Sequence, residues 1–245
     1  MGLDTPASAV APAMKPHLQL AATQTPDGAH LTLHAHDGTF CIRQNGRELM
    51  HSAAAASELA LGEVGTDRLV RDRPARVLVG GLGLGFTLRR VLERAGPRTA
   101  VQVVELLPEI VAWNREFLSE LNGRLLEDPR VELAVADVFA VLQRAGPARY
   151  DAILLDIDNG PVALVQQGNA RLYAPPGLRL LATVLAPGGR LVVWSAGPDR
   201  AFEQRLAQAG FRVETVPVPA HPGARQNACR LFVADKAAVA PTVRR

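Results

Sequence analysis

The sequence predicts an α/β fold: a seven-stranded, mostly parallel sheet with helices on its faces, an antiparallel last strand pair, and a small N-terminal β-meander. Three observations carry this. Short apolar runs (Val77-Leu78-Val79, Val101–Val104, Ala152–Leu155) alternate with segments of helical period, the pattern of strands buried on both faces. The stretch between Val216 and Cys229 holds Pro217, Pro219, Pro222 and Gly223 and is too short for a crossover helix, so the last two strands pair antiparallel. Near the N-terminus, Asp37-Gly38 and Asn45-Gly46 punctuate alternating segments, the mark of tight hairpin turns.

Taken in order, residues 1–25 are rich in Ala, Pro and Thr without a period and predict a flexible arm. Residues 26–66 form the meander and one helix. Leu31, Leu33 and Ala35 alternate with polar neighbours, Phe40–Gln44 is the second strand, and a third starts at Arg47. So small a unit must pack on the main domain or on another subunit. Ser52 is placed to cap a helix from Ala53 to about Leu61, with a connector from Gly62 to Asp72.

The main domain covers 67–236. Its first strand runs into Gly80, Gly81, Gly83 and Gly85, and Phe86–Ala95 turns helical until Gly96-Pro97. After the second strand, Pro108 opens a helix to about Leu121. A third strand spans Val131–Ala136, with a helix over Val138–Arg144 and the fourth strand following. Pro175-Pro176 starts a helix that stops at Pro187-Gly188-Gly189. Arg190–Trp194 is the fifth strand, Asp199 caps the next helix, and Phe211–Val216 and Cys229–Ala234 are the last strands. Residues 237–245 are a tail.

Bulk properties exclude several classes. At 245 residues and 48% hydrophobic content, the chain suffices for one large domain with an appendage. A net charge of +3, with basic residues scattered, lacks the stripe of a dedicated nucleic-acid binder. No apolar run approaches the roughly 18 residues that span a bilayer. Asp4, Pro6 and Pro12 interrupt any leader-like segment, so a cytoplasmic protein without membrane association is expected. Cys41 and Cys229 lack metal-type spacing, and His34 and His36 on one strand face have no third ligand nearby, so no metal site is expected.

The chemistry concentrates at strand ends. A glycine loop between a strand and a helix N-terminus admits a ligand close to the backbone. Glu105, Asp137 and Asp156 end three strands at the same sheet edge, where ligands of open parallel sheets bind. For Asp137 alone, capping the following helix explains the residue as well as a ligand does. An acid ending the second strand suits the two hydroxyls of a ribose. The spacing Gly81-x-Gly83-x-Gly85 is one residue tighter than the dinucleotide fingerprint, which argues against a nicotinamide oxidoreductase. Together these features resemble the Rossmann-like fold of class I S-adenosylmethionine-dependent methyltransferases.

A longer resemblance, from about Gly38 to Ala234, is to the spermidine synthase family. It runs through Gly38-Thr39-Phe40, the glycine loop, Glu105, Asp128-Pro129-Arg130-Val131 leading to Asp137, and Tyr150-Asp151 leading to Asp156. Leu172-Tyr173 and Leu185–Gly189 complete it. The resemblance implies that Glu105 holds the ribose, Asp137 the adenine amino group, and that Asp156 faces the attacking amine; it also implies a homodimer.

This chain departs from the family at several places. The acid of the family's glycine loop falls on Leu84, its Tyr-His-Glu on Ala56-Ser57-Glu58, the acid two residues past the ribose acid on Leu107, and the last acid of its Asp-x-x-Asp on Asn159. An acid at position 84 would repel a cofactor carboxylate by roughly 4 kcal/mol at about 4 Å. Leucine there admits ordinary S-adenosylmethionine. The sequence therefore predicts methyl transfer from S-adenosylmethionine to a small-molecule amine or hydroxyl. Asp156 would be the catalytic residue; Gly81, Gly83, Gly85, Glu105 and Asp137 would bind cofactor, and Asp158, Asn159 and Tyr173 would line the acceptor pocket. The alternatives are aminopropyl transfer from decarboxylated S-adenosylmethionine to a diamine, and a non-catalytic nucleoside-binding protein.

Overall fold

The N-terminal sheet is built from two left-handed turns. In a computed structural model describing residues 17–157, 167–219, 221 and 228–238, Asp37 and Gly38 have φ of +45° and +76°, and Asn45 and Gly46 +49° and +80°. Such pairs match the twist of the strands they join. They connect β2 (His30–His36), β3 (Thr39–Gln44) and β4 (Arg47–His51). A further strand, β1 (Leu18–Gln24), pairs antiparallel with β2, so the meander has four strands rather than three. Residues 18–24 are therefore not part of an arm. They are an edge strand, largely half-exposed or exposed and bulged between Gln19 and Ala21, which leaves little alternation to read. Leu31, Leu33 and Ile42 are buried in the same apolar cluster as main-domain residues, so the meander packs on its own chain.

Ser52 does not cap a helix. Its hydroxyl accepts from the Phe40 N–H at 2.9 Å, and His51 Nδ1 accepts from Ala53 N–H at 3.0 Å at a single 3-10 turn. Helix α1 then spans Ala56–Thr66, well past the expected end at Leu61.

The main sheet joins seven strands: β5 (Ala75–Gly80), β6 (Thr99–Glu105), β7 (Val131–Val135), β8 (Tyr150–Leu155), β9 (Leu185–Ser195), β10 (Arg212–Val218) and β11 (Cys229–Asp235). Their order is β10-β11-β9-β8-β5-β6-β7. β5 through β9 run parallel, and β11 is antiparallel to both β9 and β10. Pro187-Gly188-Gly189 lies inside β9, at a register irregularity between Leu185 and Arg190.

Between the strands come α2 (Phe86–Arg94), α3 (Pro108–Glu116), α4 (Ser119–Asn122), α5 (Val138–Arg144), α6 (Ala170–Tyr173), α7 (Pro175–Val184) and α8 (Arg200–Gln208). The helix expected to reach Leu121 breaks after Glu116 and resumes as α4. Period-2 alternation sorts the core: Val77, Val79, Val101 and Val103 face the cluster with α1, α2 and α3, while Leu78, Ile153 and Leu155 face α5, α7 and α8. α1 lies close on α2 and β8. A Cβ at Gly65 would fall 2.6 Å from the Leu154 side chain, and one at Gly62 would fall 2.7 Å from Arg90 Cβ.

β5 has β6 on one side and β8 on the other, and their crossovers leave in opposite directions. A crevice opens at such a switch point, outside the carboxyl ends of the strands.

Candidate active site

The crevice is a cleft of about 780 Å³, open to solvent. Gly81 and Gly83 form its floor, and Glu105, Asp137 and Asp156 all line it. Leu106, Ile110, Ala136 and Val138 supply apolar wall from the main domain. Thr25, Leu31, Ile42, Leu49 and Met50 reach it from the meander. Sequence reading missed this second wall. Alternation marks which strand residues are apolar, but not which domain they will cover.

The loop geometry explains why the acids converge. Gly81 has φ of +89°, and a Cβ on it would stand 2.2 Å from the Asp156 carbonyl oxygen. Only glycine lets β5 turn so tightly across the end of β8. Asp156 N–H donates to the Gly80 carbonyl at 2.9 Å, and Gly81 N–H to the Val104 carbonyl at 2.9 Å, so one turn joins three strand ends.

Glu105 is 8% exposed. Its Oε2 accepts from the Leu82 N–H and its Oε1 from the Leu107 N–H, each at 2.9 Å. Burial pushes its carboxyl above the usual range, while these N–H groups pull the other way. The Leu106 and Gly83 N–H groups pull in the same direction, so the loop backbone surrounds the carboxylate where it lines the cleft. Asp137 caps α5, accepting from Ala140 N–H at 3.1 Å, and pairs with Arg171, whose guanidinium lies 4.6 Å from the Phe139 ring centre. Its capping and cleft-lining roles coexist. Asp156 accepts from the Thr87 hydroxyl at 2.7 Å, and burial raises its pKa to about 6. A purely capping acid would instead be held ionised by backbone N–H groups.

Leu84 sits elsewhere. It is 2% exposed, belongs to the apolar cluster with Trp113 and Leu118, and does not line the cleft. Two amides set that orientation: Asn114 Nδ2 donates to the Gly83 carbonyl at 2.8 Å, and Asn122 Nδ2 donates to the Leu84 carbonyl. Gly85, with φ of +90°, precedes the first turn of α2 and also lies outside the lining. Tyr173 is 3% exposed and packs edge-on against Phe202 at 5.7 Å in the opposite core, so its ring is not a cleft wall. The face on which Tyr173 falls cannot be assigned by spacing alone. Asp158 and Asn159 lie outside the described residues. Thr87 bonds Asp156 and the Asp156 charge acts on Glu58, which the family resemblance had aligned with the acid of Tyr-His-Glu; Asn169 joins the lining, and no local sequence signal marked Thr87 or Asn169.

The cleft fits an adenosine-type ligand: a floor without side chains, a buried acid at the end of β6, and facing apolar walls at the β6 and β7 ends.

Residues 47–208 match the Spermine/spermidine synthase domain family. The chain is 39% identical over 129 residues to polyamine aminopropyltransferase 2 of Pseudomonas aeruginosa, covering 51% of this chain and 34% of that protein. It is 38% identical over 131 residues to the polyamine aminopropyltransferase of Synechococcus, covering 53% and 40%. The matched region thus spans about a third to two-fifths of these relatives' length. Spermidine synthase of Thermotoga maritima shares the fold at a TM-score of 0.68 and 16% identity, covering 90% of this chain and 74% of that one. These findings overturn the expected methyl transfer: the relatives are named for aminopropyl transfer. The physical premise fails too, because a side chain at position 84 points into the core and does not face a cofactor carboxylate. The chain belongs to the spermine/spermidine synthase family.

Proposed function

We propose that this protein transfers an aminopropyl group from decarboxylated S-adenosylmethionine to an amine of a diamine or polyamine. One observation carries the reading beyond family membership: Glu105, Asp137 and Asp156 line a single cleft beside the glycine loop, with no ion-paired cation on Glu105 or Asp156 among the described residues. A site of that charge suits a cationic amine and disfavours an anionic acceptor.

Bound there, the sulfonium supplies a carbon–sulfur bond already activated for displacement. The chain's own residues hold and orient. Glu105 accepts ribose hydroxyls, and backbone N–H groups of the loop, Leu82 and Leu107 at 2.9 Å among them, hold the carboxylate in place. Asp137 accepts the adenine amino group, for which its pairing with Arg171 must loosen or share an oxygen. Asp156 orients the acceptor's amine and takes its proton, a role suited to a carboxylate titrating near neutrality. The meander wall excludes water from the reacting atoms. Asp158 and Asn159 are proposed to reach the far end of the acceptor, a cytoplasmic location accompanies the reading, and a homodimer is proposed, which sedimentation tests.

The test is calorimetric titration with decarboxylated S-adenosylmethionine and separately with S-adenosylmethionine, followed by turnover with 1,4-diaminobutane read as thioether product. Tighter binding of the decarboxylated form and diamine-dependent turnover are expected. Preference for the carboxylated form, or thioether release without dependence on a diamine, sinks the reading.

A further inference from the structure

Thr87 stands in the first turn of α2, two residues past Gly85, on the turn that carries the glycine loop into the helix. It is 2% exposed, so its hydroxyl must find a partner inside the protein. Two acceptors lie within reach of its one proton: Asp156 Oδ2 at 2.7 Å and the Glu58 carbonyl oxygen at 3.3 Å. The nearer acceptor is also the charged one when Asp156 is ionised, and a charge-assisted bond is roughly twice as strong as a neutral one. The proton therefore points at Asp156. The backbone of Asp156 reaches this corner through a separate constraint. Its N–H donates to the Gly80 carbonyl at 2.9 Å, and its carbonyl oxygen lies so close to Gly81 that a Cβ there would fall 2.2 Å away. The start of the glycine loop thus holds the Asp156 backbone, and the helix that follows the loop holds its side chain.

The two oxygens of a carboxylate diverge, so a bond that fixes Oδ2 toward α2 also fixes the direction of Oδ1. Asp156 lines the cleft and Thr87 does not, so Thr87 acts on the cleft through the acid it holds. We propose that Thr87 is the positioning residue for Asp156: its hydroxyl holds the carboxylate by Oδ2, favours its charged form and sets Oδ1 toward the acceptor's amine. One turn then places both the cofactor floor and the group that takes the proton. The inference deepens the aminopropyl reading and rests on it for its substrate.

The step balances. The acceptor's ammonium gives one proton to Asp156, and Thr87 keeps its own. The nitrogen lone pair so freed attacks the carbon next to the sulfonium. The carbon–nitrogen bond forms as the carbon–sulfur bond breaks, its electron pair returns to sulfur, and a neutral thioether leaves beside a secondary ammonium. The electrostatics agree with this use. Burial raises Asp156 to about 6, and the Thr87 hydroxyl pulls the other way. The titratable groups that act on the same corner are Glu58 of α1, raised to about 7 by burial and the Asp156 charge, and Cys229 of β11, raised by burial, with Arg230 beside it.

The experiment compares wild type with the near-isosteric Thr87→Val, which removes the hydroxyl, and with Thr87→Ser, which keeps it. The first readout is a carboxyl-carbon NMR titration of the ligand-free protein, with the Asp156 signal identified by its loss in Asp156→Asn. It needs no activity. In T87V the Asp156 step is expected to move up by about one pH unit, because the charged form has lost a donor. The second is the pH dependence of kcat/KM with 1,4-diaminobutane. The acidic limb is expected to move up by the same interval and kcat to fall roughly tenfold, with T87S restoring most of both. The third is calorimetric binding of decarboxylated S-adenosylmethionine, expected to stay within about twofold. A merely structural Thr87 would lower Tm or kcat and leave both pH curves in place, and that result overturns the assignment. So does a T87S protein no better than T87V, or a loss of cofactor binding as large as the loss of turnover. If T87V does not fold, Thr87→Ala is read by the same three measurements. A moved NMR step with no diamine turnover by the wild type would sink the aminopropyl reading and, with it, the catalytic use of the bond. An unmoved step with normal wild-type turnover would sink the Thr87 assignment alone.

Discussion

At position 84 the backbone decides what a side chain can do. Leu84 lies in the glycine loop one residue from cleft-lining Gly83, yet the amides of Asn114 and Asn122 hold the loop so that its side chain enters the core. Leu84→Asp should therefore not switch cofactor preference. It should bury a carboxylate among apolar groups and destabilise the protein by about 3 kcal/mol or more, measured by urea unfolding. The opposite holds at Glu105, whose side chain is part of the cleft. Glu105→Gln keeps the shape but replaces an acceptor oxygen by a donor, which clashes with the Leu82 or Leu107 N–H. Calorimetry should show decarboxylated S-adenosylmethionine binding weakened at least tenfold. Asp156→Asn should leave that binding within a few-fold and cut turnover by roughly 10²–10⁴.

At the scale of elements, α1 shows packing overriding propensity. Gly62 and Gly65 weaken a helix intrinsically, which is why the sequence alone suggests a connector after Leu61. In the fold they are the surface on which α1 meets α2 and β8. Gly65→Ala should raise helix propensity yet destabilise the protein by about 1–3 kcal/mol, because its methyl would overlap Leu154. Thermal unfolding decides between the two effects: a raised Tm would show that α1 can lift off β8. β1 gives the converse lesson. A half-exposed, bulged edge strand carries little period, and its pairing with β2 supplies the order its composition does not.

For the whole molecule, the buried acids Glu58, Asp156 and Glu105 make stability depend on pH. Glu58 titrates at about 7 in the fold against an ordinary 4.5, and Asp156 at about 6 against 3.8. Raised folded values mean that the fold binds these protons more tightly than the unfolded chain does. Their contribution is complete below about pH 4 and is lost as pH rises through 6 to 7. Buried Glu105 acts in the same sense. Unfolding free energy of the ligand-free protein should thus be lower at pH 8 than at pH 5, by on the order of 3 kcal/mol. Glu58→Gln should flatten the slope. Urea titrations of both proteins at the two pH values check this, and a wild type more stable at pH 8 contradicts it.

The sequence by itself determined the succession of the main-sheet strands, the antiparallel last pair, the glycine loop and the strand-end acids. Those features follow from local period, turn chemistry and chain length, which act over a few residues. The tertiary structure alone decided that Leu84 turns inward, that Tyr173 packs against Phe202, that the meander walls the cleft, and that Thr87 bonds Asp156. Each depends on contacts between residues distant in the chain, as Thr87 shows by bonding Asp156 across 69 positions. Which way a side chain faces at such a junction is set by the packing of whole elements, and local sequence carries no record of it.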